Sequence, residues 1–253
     1  MQIANDTILI TGGSAGIGRA LAEAMHRDGA KVIITGRRED ALRSVAEANP
    51  GMDWAVLDMT DADAIAAFAT QVTRDHPALN AVIHNAGIME VEDLTADAWD
   101  LDRVERTLET NLLGPIRLTA GLIAHLKQQP RATIMTVSSG LAFVPLAATP
   151  IYSATKAAIH SWTQALRSQL KDTAIEVLEL APPDAGPCPE PRLHAPRCLY
   201  RRGHGPDPLG QYPGRGDSGG ACQTAPLCRT GRLSGGLRAP ERRLIAAKSE
   251  GRP

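Results

Sequence analysis

"TILITGGSAGIG", residues 7–18, decides how the chain is read. Its first five residues form a continuous β-branched and apolar run, the pattern of a strand covered on both faces, and so of a parallel sheet. Three glycines follow in the spacing G-x3-G-x-G, and the chain then runs straight into a helical pattern that stops at Gly29. Gly12 allows a tight turn, Gly16 lets the backbone approach an anionic group, and Gly18 lets the helix lie close on the strand. Ser14 and Ile17 complete the candidate contacts of this loop. Unpaired N–H groups at such a helix start suit the oxygens of a pyrophosphate.

Five more runs repeat the strand signature: "KVIIT" (31–35), "WAVLD" (54–58), "LNAVIH" (79–84), "ATIMTV" (132–137) and "IEVLEL" (175–180). Helical patterns separate them. Ile17, Leu21, Ala24 and Met25 line one face of the first helix, and Thr60 with Asp63 reads as a capping box for the helix through Phe68 and Val72. Strand and helix alternating about six times predict an α/β fold, a three-layer, doubly wound parallel sheet of Rossmann-like type, over residues 1–183. Sheets of this kind bind ligands at the carboxyl ends of their strands.

Residues 184–253 read differently. Of the 18 Pro and 23 Gly in the chain, 12 of each lie after residue 180. No Val, Phe, Trp or Met occurs there, so a packed core is not expected. The overall charge of −1 hides an acidic first part and a basic last part. All four cysteines lie in the last part without C-x-x-C or histidine spacing, and unpaired thiols are favoured over a metal or disulfide site. The expectation is an irregular tail, produced by a reading-frame shift after about Asp184; a natural basic interaction tail is the competing account. No apolar run of 18 residues and no charged-then-apolar leader is present, which points to a soluble, cytoplasmic protein without a membrane partner. Nucleic acid is not expected either, because the tail arginines are not interleaved with aromatics.

Several residues stand at the predicted carboxyl edge. Arg37 and Arg38 follow the second strand, where a carboxylate would receive a free ribose 2′-hydroxyl; two cations suit a 2′-phosphate and favour NADP(H) over NAD(H). Two solvated arginines at a helix start are the alternative. Asp58 could accept from an adenine amino group or serve only as a helix-entry turn residue. Asn85, Ala86 and Gly87 are small enough for a backbone to pass beside a ribose, and His84 before them is expected to be a strand-end histidine in a wet environment. "YSATK" places Tyr152 and Lys156 on one helix face, one turn apart. Ser139, 13 residues earlier at the end of the fifth strand, can converge on them, and Asn111 is a costly amide inside an apolar helix unless it has a partner.

In order and spacing, "TGGSAGIG", "NAG", Asn111, "SSG", "YSATK" and "APP" resemble the short-chain dehydrogenase/reductases. The likeness runs from residue 5 to about residue 183. It implies a nicotinamide cofactor and a catalytic group of Asn111, Ser139, Tyr152 and Lys156, with His84 where asparagine is usual. Carbonyl reduction creates charge on oxygen, so it needs a proton donor and a preformed hydrogen bond. Tyr152 is the expected donor, its phenol drawn down by the Lys156 ammonium and an oxidised nicotinamide; Lys156 also holds ribose hydroxyls. Ser139 orients the carbonyl, and Asn111 holds a water that passes protons toward Lys156. The implied reaction moves a hydride between NADP(H) and a small carbonyl or alcohol. The alternative is a catalytically inactive nucleotide-binding remnant or an unstable truncated product, since the lid and seventh strand of the family are not legible. Family members are homo-oligomers, which the tail puts in doubt. No metal site is expected.

Overall fold

In a computed structural model, residues 3–182 are described. The expectations for the tail, its cysteines and the missing seventh strand lie outside those residues. The described part is an alternating α/β chain: β1 (Thr7–Thr11), α1 (Gly16–Arg27), β2 (Lys31–Gly36), α2 (Glu39–Ala48), β3 (Asp53–Val56), α3 (Ala62–Asp75), β4 (Leu79–His84), α4 (Leu101–Leu108), α5 (Gly114–Gln128), β5 (Ala132–Val137), α6 (Pro150–Gln169) and β6 (Ile175–Leu180). A single π turn, Glu109–Leu113, joins α4 to α5, and a short 3₁₀ turn, Gly140–Ala142, follows β5.

All six strands pair in parallel in the order β3-β2-β1-β4-β5-β6. The order reverses between β1 and β4, which opens a crevice above their carboxyl ends. One face of the sheet is covered by α1 and α2 through Ala22, Met25, Leu42 and Val45. The other carries α3, α5 and the end of α6 through Ile65, Phe68, Leu118, Leu122 and Leu170. Strands β1 and β5 are buried throughout, as continuous hydrophobicity demands. The outer strands depart from that expectation: β3 is half-exposed, and β6 alternates between buried and half-buried residues. Each closes one side of the six-stranded sheet among the described residues and so has one neighbour instead of two.

Two local expectations are corrected. Helix α1 buries Gly18, Ala22 and Met25, while Ile17 is 49% exposed. The helix is turned so that Gly18 meets the sheet, because a side chain there has no room. Helix α3 is capped by Asp61, whose carboxylate accepts from Ala64 N, and not by Thr60. Thr60 instead donates through both N and Oγ1 to Asp58, each at 3.0 Å. Among the described residues no helix is long and apolar enough to cross a membrane, and no group of three or more metal-ligating side chains forms.

Candidate active site

The glycine loop is held shut from behind. Thr11 Oγ1 accepts from the backbone N–H groups of Asn85 and Ala86, each at 3.1 Å, and donates to Ile83 O. Asn85 Nδ2 donates to the carbonyls of Thr11 and Gly12 at 3.0 and 3.2 Å. The turn after β1 and the turn after β4 are therefore joined by five polar contacts, which the sequence reading did not foresee for Thr11. A Cβ on Gly18 would lie 2.3 Å from both Asn85 Nδ2 and Gly12 O, and one on Gly12, at φ +70°, would lie 2.9 Å from Ala86 Cα. At Gly16 nothing lies within 4 Å, so the loop is open on the side where α1 begins. Ala15, at the N-cap of α1, offers no side-chain acceptor, and the first turn has no acidic residue. The unpaired N–H groups there keep their affinity for an anion.

A cleft of about 240 Å³ extends from this loop along the carboxyl edge. Of the residues named as cofactor contacts, Gly12, Ser14, Arg37, Arg38, Asp58, Ala86 and Gly87 line it and Gly16, Ile17, Gly18, Asn85, Tyr152 and Lys156 do not; Met59, Ile88 and Thr110, not singled out in the sequence, line it as well. Arg37 and Arg38 are exposed and have no ion-pair partner among the described residues. Glu39, next to them, is drawn away to Arg43 at 2.6 Å. Asp58 serves the turn before α3 through Thr60 and also faces the cleft.

At the other end of the crevice the side chains converge on α6. Tyr152 and Lys156 lie in its first two turns, and Lys156 Nζ stands 5.5 Å from the Tyr152 ring centroid. Lys156 is 4% exposed and donates to Val137 O at 2.8 Å. Burial holds its ammonium down to about 8. Ser139, 7% exposed, follows β5 and accepts from Leu141 N at 3.1 Å, which fixes its hydroxyl at the start of the 3₁₀ turn. Asn111 sits in the π turn. Its Oδ1 accepts from Ile88 N at 2.8 Å, and its Nδ2 donates to Ile88 O and to Thr155 Oγ1 at 2.9 and 3.1 Å. Both amide donors are taken, and one acceptor position of Oδ1 remains for any water. A Cβ on Gly87 would lie 3.4 Å from Asn111 Oδ1 and 3.6 Å from Lys156 Nζ, ordinary contact distances, so both side chains border this glycine. The segments flanking the start of α6 expose Met89, Val91, Phe143, Val144 and Leu146.

His84 is corrected. It is 3% exposed, not wet: Nε2 shares a hydrogen bond of 2.8 Å with Thr119 Oγ1, the ring meets Trp162 edge-on, and Nδ1 is buried without a partner among the described residues. Burial pushes its basicity down to about 4, so it is neutral in the fold. It faces the α5 and α6 side of the sheet and packs, which accounts for a histidine in that place.

A six-stranded parallel sheet with a glycine loop at its switch point and a Tyr-x3-Lys helix beside it defines a nucleotide-dependent oxidoreductase of Rossmann-like type. The chain belongs to the short chain dehydrogenase family, whose model matches residues 6–186. It is 42% identical over 183 residues to an uncharacterized oxidoreductase, DltE, of Bacillus subtilis (strain 168), an alignment covering 72% of this chain and 73% of the relative. A short-chain dehydrogenase from Streptomyces avermitilis has 30% identity and a TM-score of 0.67, covering 71% of this chain and 65% of that one. A short chain dehydrogenase from Shigella flexneri 2a str. 301, solved in complex with NADP, has 27% identity and a TM-score of 0.67, covering 72% and 79%.

Proposed function

We propose that the chain reduces a carbonyl, or oxidises the corresponding alcohol, with NADP(H) as cofactor and with Ser139, Tyr152 and Lys156 as the catalytic group. The observation that carries this reading is the buried Lys156 beside the Tyr152 ring, one helical turn away, with its Nζ anchored on Val137 O. Three features support a dinucleotide in the cleft: a Cβ on Gly12 would lie 2.9 Å from Ala86 Cα, the start of α1 has no side-chain cap, and Arg37 and Arg38 have no ion-pair partner among the described residues. Those two arginines would hold a 2′-phosphate, and Asp58 would face the adenine end. The bound nicotinamide supplies or takes the hydride.

What remains is proton transfer and position. Tyr152 donates its phenolic proton to the oxygen that gains charge, and Ser139 Oγ gives that oxygen a fixed hydrogen bond. Below about pH 8 the Lys156 ammonium is charged and favours the phenolate that Tyr152 leaves behind. Asn111 acts as a positioning residue, since it ties Ile88 to Thr155, the residue before Lys156 on α6. Turnover of NADPH with a fixed panel of aliphatic and aromatic ketones tests the assignment. Tyr152→Phe should lower kcat at least about 100-fold while NADPH still binds. A phenylalanine variant with wild-type turnover would remove Tyr152 from the mechanism, and NADPH binding without any turnover by the wild type would support a nucleotide-binding remnant.

A further inference from the structure

Helix α6 carries both Tyr152 and Lys156, so whatever fixes its first turn fixes them. The local side-chain fastening is Ser153 Oγ, which donates to Thr149 O at 2.9 Å and accepts from Leu146 N at 3.3 Å, and it leaves the first N–H groups of the helix unsatisfied. Thr149, at the N-cap, makes no side-chain cap hydrogen bond, its buried Oγ1 has no partner among the described residues, and Pro150 has no N–H. The first N–H that needs an acceptor is that of Ile151. It finds one 59 residues back in sequence, in the carboxylate of Glu92, at 2.9 Å. Glu92 also donates its backbone N–H to Ala148 O at 3.0 Å.

The same short segment is fastened elsewhere. Its first residue, Ile88, is held through N–H and C=O by Asn111, and Glu90 pairs with Arg103 on α4 at 2.7 Å. Residues 88–92 thus form a strap from the π turn, past α4, to the start of α6. The end that reaches α6 closes one residue before Tyr152. A carboxylate there satisfies an orphan donor and complements the positive end of the helix.

We propose that Glu92 is a positioning residue for the Tyr152–Lys156 pair, acting through the first turn of α6; this rests on the function proposed above. The test compares Glu92→Ala with Glu92→Gln in the full chain. Glutamine keeps an acceptor oxygen for Ile151 N–H and alanine does not. The alanine variant should lose about tenfold in kcat for NADPH-dependent ketone reduction, with the Kd for NADPH unchanged. Loss of one cap, worth about 1 kcal/mol, should also speed hydrogen exchange in the peptide containing residues 151–153 about fivefold, with β1 amides unaffected. The glutamine variant should restore both within about twofold. Glu92→Met, which keeps the bulk, replaces alanine should that variant not fold. Wild-type kcat and exchange in the alanine variant, or a glutamine variant as impaired as alanine, would overturn the proposal. Tyr152→Phe run alongside separates the two failures: an active phenylalanine variant sinks the proposed mechanism, whereas an inactive one beside a fully active Glu92→Ala sinks only the role of Glu92.

Discussion

Lys156 is a buried cation, and its stability effect has a definite sign. In the unfolded chain its ammonium titrates near 10.5, whereas in the fold desolvation brings it to about 8. Below pH 8 both states hold the proton and the fold bears the whole cost of a desolvated charge. Between pH 8 and 10.5 the unfolded chain binds more protons than the folded one, so stability rises with pH across that window. The difference between 10.5 and about 8 corresponds to about 3 kcal/mol. The perturbation is Lys156→Met, which keeps length and removes the titration. Tyr152, 5.5 Å away, would titrate differently without this ammonium, so both proteins carry Tyr152→Phe, and the quantity to follow is the difference between their unfolding free energies. Urea unfolding at pH 7.5, 9 and 10.5 should show the protein that keeps Lys156 gaining on the methionine variant by about 3 kcal/mol. The loss of the bond to Val137 O adds a constant offset that pH does not move. A difference flat to within about 0.5 kcal/mol, or one falling with pH, would refute the claim that burial governs this ammonium.

Gly18→Ala puts a methyl group 2.3 Å from Asn85 Nδ2 and Gly12 O; overpacking and broken bonds should cost about 2–4 kcal/mol in urea unfolding and abolish detectable NADPH fluorescence enhancement. Replacing Arg37 and Arg38 together by alanine should raise KM for NADPH at least about tenfold and leave that for NADH within about threefold, which steady-state kinetics with both cofactors would read. His84 gives an acid-side effect: its folded value of about 4 lies below 6.5, so the unfolded chain binds more protons as pH falls and the wild type should lose up to about 3 kcal/mol between pH 6.5 and 4. A His84→Asn variant should not show that part of the acid loss in parallel unfolding curves.

The sheet was legible because six β-branched runs each have a helical pattern between them, and period alone separates the two. Glycines at 12 and 18 were legible for the same local reason, since turn and contact each exclude a Cβ, whereas Gly16 stands in open space and its φ of +54° is what favours glycine. What escaped were features set by tertiary partners. The π turn around Asn111 has no compositional mark; it appears where Gly114 packs 2.7 Å from Met59 O, counting from an added Cβ, and where the amide finds Ile88 and Thr155. The environment of His84 depended on Thr119 and Trp162, far along the chain. At "TDAD" (60–63) two cap registers were chemically equivalent, and Asp58 decided between them by taking both donors of Thr60. The roles of Thr11 and Glu92 were invisible for a related reason, since a threonine ending a strand or a glutamate in a loop signals nothing until its distant acceptor or donor is known.

The Thr11 hydroxyl, with two amides pointing at it and one carbonyl before it, makes the turns after β1 and β4 a single unit. Neither turn can shift alone without breaking bonds that water cannot easily replace at a fully buried hydroxyl. The wall of the crevice formed by the glycine loop and the wall formed by Asn85 and Ala86 are consequently set against each other by folding itself, and a disturbance in one turn must be transmitted to the other.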